Sequence, residues 1–251
     1  MHAGAWPLNW DFVLVPILSG GYLVGTRNHR PTGQRVAAFI VSQLLLLAVL
    51  VTPVETVAVH YLLAVHLLQN VVLAEWAPAL LVLALPATLA RRLERPRPVR
   101  AATHPLVALP VWLATYFLWH VPRIYDAALD HQHSLLHLEH ATYFAAGCLV
   151  WWPVVHGRWS DGVKAVYLFA AFVLASPLGL LLALLPHPVY RFYEHAPRLW
   201  GIGRLTDQQL AGLTMAAEQA VVFFGVFTVF LMRFLRSEAI AGVYTAGEGH
   251  R

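Results

Sequence analysis

The chain has 251 residues, 59% of them hydrophobic and only 12% charged, with a mean hydropathy of +0.60. So few charges cannot coat a soluble globule of this size, which excludes an ordinary soluble enzyme or binding domain and implies an integral membrane protein. The net charge of +4 comes from arginines between apolar segments, with Lys164 the only lysine, and does not describe a nucleic-acid-binding face.

The N-terminal stretch carries Trp6, Trp10 and Asp11 rather than a basic run, so the first apolar segment is expected to insert uncleaved. A spanning helix needs about 20 mostly apolar residues. Seven such segments are predicted, near 10–26, 36–53, 57–89, 104–121, 134–156, 162–185 and 208–235. The third is long enough to kink, because Pro78 and Pro86 follow Trp76 and proline removes a helix donor. No polar stretch suffices for a second domain and no repeat is visible. The expectation is an all-α, seven-transmembrane helix bundle forming one domain over 1–251. Cys148 is the only cysteine and lies in an apolar run, where it reads as a small core residue and excludes an intrachain disulfide.

Orientation follows from the basic residues. With the N-terminus outside and the C-terminus cytoplasmic, only Arg123, Arg191, Arg198 and Arg204 of the 17 basic residues face outward, and the run from Arg91 to Arg100 anchors an inner loop. Histidines have no such reason to sort, yet most of the 14 fall on the outer side, which suggests imidazole chemistry there.

Along the chain, His66 is expected deep in the third span, where a charged group costs roughly 2.5–3.5 kcal/mol on insertion scales and a polar one needs a partner or a cavity. Gln69 shares its helix face, and Glu75 follows. His120 closes the fourth span, and Asp126 just beyond it is placed to fix an imidazole tautomer. His133, His137 and His140 are spaced i, i+4, i+7 at the start of the fifth span, forming one helical stripe with Glu139 on an adjacent face. Such a stripe can hold a metal or can simply be a hydrated interfacial helix. If the protein is only a scaffold, Trp151 and Trp152 read as an interfacial belt on the cytoplasmic side. Thr206 or Asp207 is expected to cap the seventh span, with Gln208, Gln209, Met215, Glu218 and Gln219 forming a polar track below it. Met215 is either a soft copper ligand or core filler. This donor set suits copper, zinc or haem iron, and no nucleophile–base–acid set for enzymatic turnover is visible.

Together these residues make the chain resemble the polytopic CtaG-type cytochrome c oxidase assembly factors. The resemblance is carried by His66 with Gln69, Pro78 and Pro86, Trp119-His120 with Pro122, Tyr125 and Asp126, Glu139-His140, Trp151-Trp152-Pro153, Pro177, Tyr190 and Tyr193, and Asp207-Gln208-Gln209 with Gly212 and Met215. It implies a multi-pass protein of the bacterial cytoplasmic membrane that matures a haem–copper oxidase, with oxidase subunits and a copper donor protein as partners. It also implies copper handling near the outer face, for which His66, His120 and His140 are the foremost candidates. A metal transporter, a haem-binding redox protein and a metal-free scaffold are the competing expectations. A retinal photoreceptor is excluded because the seventh span has no lysine.

Overall fold

The computed structural model describes residues 2–7 and 10–248, with side chains through 240. It is all-helical, with no strand among the described residues. After a short 3-10 turn over Trp10–Val13, the helices are α1 (Leu14–Thr26), α2 (Gly33–Leu50), α3 (Pro53–His60), α4 (Leu63–Val71), α5 (Ala77–Ala84), α6 (Ala87–Leu93) and α7 (Arg97–Ala102). There follow α8 (Pro105–Trp119), α9 (Pro122–Asp130), α10 (His137–Val155), α11 (Asp161–Leu184), α12 (Arg191–His195), α13 (Arg204–Gln219) and α14 (Gly225–Glu248).

Among the described residues four helical stretches are long and apolar enough to cross a membrane: Gly33–Leu50, Leu63–Ala84, Asp161–Leu184 and Arg204–Ile240. The pair α8 and α9, bent by 72°, makes a fifth if counted as one span, and Trp10–Thr26 is a shorter apolar helix. The chain is thus a helical membrane protein. Helix α10 is as long but less apolar, because His137, Glu139 and His140 occupy its first turn; most of its length is buried inside the bundle. It packs against α8 on one flank and the Leu63–Ala84 helix on another, while α13 lies between α11 and α4.

Close helix approach relies on missing side chains. A Cβ on Gly147 of α10 would sit 2.3 Å from the Ala74 carbonyl oxygen, and one on Gly212 of α13 would sit 2.4 Å from that of Gly179 in α11. Small residues at such crossings let backbones touch, which is how helices gain packing energy in an apolar solvent.

The third expected span needs correcting. The chain turns at Tyr61 and Leu62, so the span starts at Leu63 rather than 57, and His60 belongs to α3, a different helix from His66. Pro78 does not break it. The preceding Val72–Trp76 segment is a π turn, whose shifted hydrogen bonding absorbs the donor that proline lacks. The break falls at Leu85, driven extended by Pro86. Further π turns cover Gln132–Leu136 and Ala220–Phe224. The tryptophan belt is also corrected: Trp151 and Trp152 are buried, Trp152 donating to Glu94.

Candidate functional site

Three helices bring His66 (α4), His120 (the C-cap of α8) and His140 (α10) into the bundle core, each nearly or fully buried. In each ring Nδ1 has a protein partner and Nε2, shielded from water, has none. His120 Nδ1 is 2.7 Å from the Tyr116 carbonyl oxygen, so it must donate its proton there. His140 Nδ1 donates to Asp11 Oδ2 at 2.6 Å. His66 Nδ1 lies 2.8 Å from the Tyr193 hydroxyl and 3.0 Å from that of Tyr125. Tyr193 spends its single proton on the Ala58 carbonyl oxygen, 2.6 Å away. Burial, with Asp207 nearby as a smaller cause, pushes the Tyr193 hydroxyl well above its usual range, so that proton stays on. His66 Nδ1 is therefore the donor to Tyr193. When such a ring is neutral with its proton on Nδ1, Nε2 keeps its lone pair, the form in which imidazole binds a metal.

The rings of His66 and His140 are edge to face with centroids 6.5 Å apart. His120 stands beyond Tyr125, whose ring is 5.3 Å from His66 and 6.1 Å from His120. His120 and Met215 instead line one small cavity together with Glu75, Asn70, Tyr116 and Tyr143. Among the described residues no three His, Cys, Asp or Glu side chains close up tightly enough to hold a metal ion.

Carboxylates surround His140. Asp11, Glu55 and Glu139 all lie near enough to act on it electrostatically. Asp11 Oδ1 is also 2.8 Å from His137 Nδ1, without the alignment of a hydrogen bond. Glu139 accepts from Asn70 Nδ2 at 3.0 Å, and Glu55 accepts from Gln69.

Several expected roles are corrected. His133 is exposed and sits in a π turn, which displaces it from the stripe of His137 and His140. Gln69 turns away from His66, donating to Glu55 and, at 2.8 Å, to the Val49 carbonyl oxygen. Asp126 touches no imidazole; its carboxylate accepts from the backbone of Arg191 and Phe192 and so caps α12. Asp207 does not cap its own helix, which starts at Arg204. It accepts from the Leu63 and Ala64 amides at 2.8 and 2.9 Å, capping α4 one turn before His66. Gln208 accepts from the Val189 amide and donates to the Leu182 and His187 carbonyl oxygens, so at this end the polar track is a contact between helices. Glu139 points into the core.

Sequence reading missed Asp11, Glu55, Asn70, Tyr143 and the hydrogen-bonding roles of Tyr125 and Tyr193. Asp11 is 129 residues from His140, so no local spacing could link them. A carboxylate at the start of the first apolar segment was the one visible signal.

The fold and this core define a helical membrane protein with three buried histidines held by their neighbours. Residues 20–237 match the cytochrome c oxidase caa3 assembly factor family (CtaG), and the chain belongs to it. No curated protein and no solved structure matches the chain.

Proposed function

We propose that this protein matures a haem–copper cytochrome c oxidase by holding copper, as cargo, on its buried histidines and passing it to an oxidase subunit. The observation that carries the reading is the set of bare, water-shielded Nε2 atoms on His66, His120 and His140, each with Nδ1 fixed by a neighbour. A metal with two imidazole ligands at about 2 Å holds their ring centroids roughly 5 to 6.5 Å apart. The His66 and His140 centroids are 6.5 Å apart with the rings edge to face, so one ring turns for both Nε2 atoms to reach a single ion. His120 and Met215, sharing a cavity, supply an adjacent nitrogen and thioether to which the ion moves. His137, partnered by Asp11, stands on the outer side of His140 as the point of entry.

In this reading the chain crosses the bacterial cytoplasmic membrane seven times, N-terminus out and C-terminus in, and the histidine core opens toward the outer face where a copper donor protein and the oxidase meet it. The arginine distribution supports that orientation. No covalent chemistry is assigned to the chain itself.

The test is the metal content of the oxidase purified from cells whose only copy of this protein carries His66→Ala and His140→Ala. The expected product retains haem but lacks copper. A fully copper-loaded oxidase from that strain, with the variant protein present at normal level, would leave only a scaffold.

A further inference from the structure

Away from the histidine core, arginines gather around α6 and α7. One open cleft of about 640 Å³ is lined by Asn28, His29, Thr88, Arg91, Arg92 and Arg95. A second, of about 600 Å³, is lined by Arg91 and Arg95 again, with Arg100, His104, Arg158 and Trp159 among its other residues. Because Arg91 and Arg95 face both, one ligand can reach from cleft to cleft.

The charge is not internally balanced. Among the described residues the only arginine–carboxylate ion pair is that of Arg233 with Asp161, neither of which lines these clefts. Glu94 is the one acid lining either cleft, and it already accepts from the Trp152 indole. The first cleft is also braced: His29 Nδ1 is 3.0 Å from Thr88 Oγ1, tying the α1–α2 connection to α6, and His29 Nε2 is shielded without a protein partner. Arginine forks match phosphate oxygens in pairs, so each cleft has the chemistry for one phosphate.

Apolar groups flank the charge. Trp159 lines the second cleft and is 38% exposed, Leu93 is 45% exposed beside Arg92, and the first cleft follows directly on the membrane-length helix Leu63–Ala84. A soluble anion has no use for these surfaces, whereas acyl chains do.

We infer that the two clefts form one site for a ligand carrying two phosphates on a short bridge, and that its source is a diphosphatidylglycerol lipid in the adjoining leaflet. The phosphates occupy the two clefts, with Arg91 and Arg95 between them, and the acyl chains run along the exposed apolar residues. This site is independent of the copper reading.

Native mass spectrometry of the detergent-purified full chain tests it, titrated separately with diphosphatidylglycerol, phosphatidylglycerol, phosphatidylcholine and inorganic pyrophosphate. Diphosphatidylglycerol is expected to be retained about tenfold better than phosphatidylglycerol, and the advantage to vanish in the Arg91→Gln/Arg95→Gln variant. Arg95→Gln alone is expected to remove most of it, and Arg236→Gln, an exposed charge on α14, to leave it intact. Equal retention of all anionic lipids, unchanged retention in the double variant, or an equal loss in Arg236→Gln would overturn the site. Pyrophosphate binding that matches and displaces the lipid would overturn the lipid as its source.

Discussion

Asp11 and His140 are joined by a 2.6 Å hydrogen bond across 129 residues of sequence, so the first turn of the N-terminal apolar helix sets the tautomer of a histidine in the bundle core. Neighbours that fix a ligating imidazole are typically worth about 10–100-fold in metal affinity. Asp11→Asn is therefore expected to weaken copper binding by roughly that factor, measured by competition with a chelator of known affinity, while leaving the helical content seen by circular dichroism unchanged.

Tyr193 commits its proton to Ala58 and so obliges His66 to donate. Tyr193→Phe removes both bonds at once. It is expected to lower stability by about 1–3 kcal/mol in a detergent melt, since buried partners are left unpaired, and to weaken copper binding as well. Tyr61→Phe, in the turn before α4, serves as a comparison for copper affinity, which it is expected to leave unchanged.

Asp207 caps α4 from another helix. Asp207→Ala leaves two amide donors at the start of the His66 helix without their acceptor, at a cost of about 1–2 kcal/mol. Asp207→Asn keeps an acceptor and is expected to recover part of that loss, as read from melting temperatures of the two variants.

The α10 crossing tolerates no side chain at Gly147, where a Cβ would also meet Pro78 Cγ at 2.6 Å. Gly147→Ala is expected to cost about 3 kcal/mol or to prevent accumulation of the protein. Gly20→Ala, where nothing lies within 4 Å of the added carbon, is expected to be neutral or slightly stabilising.

The helical class and the individual apolar helices were legible because composition and hydropathy act residue by residue. His66, His120 and His140 were legible for a similar reason: a polar side chain inside an apolar run is conspicuous. What holds them was not. Asp126 and Asp207 looked like ligand partners or a local cap, yet each caps a helix remote in sequence, a relationship that only the packing of α9 on α12 and of α13 on α4 creates. The His133–His137–His140 stripe assumed 3.6 residues per turn through a segment that is a π turn, so the pattern was read with the wrong period. The bond from Gln69 to Glu55 spans the helix break at Tyr61 and Leu62, which leaves no hydropathy signal.

The central claim is that the oriented histidines hold copper. Its most direct test is X-ray absorption spectroscopy with metal quantitation on the purified protein loaded with copper(I), beside the His66→Ala/His140→Ala variant. The account expects about one tightly held ion with imidazole nitrogen ligands in the parent protein and its loss in the variant. Copper absent from both, or held equally by both, would contradict it.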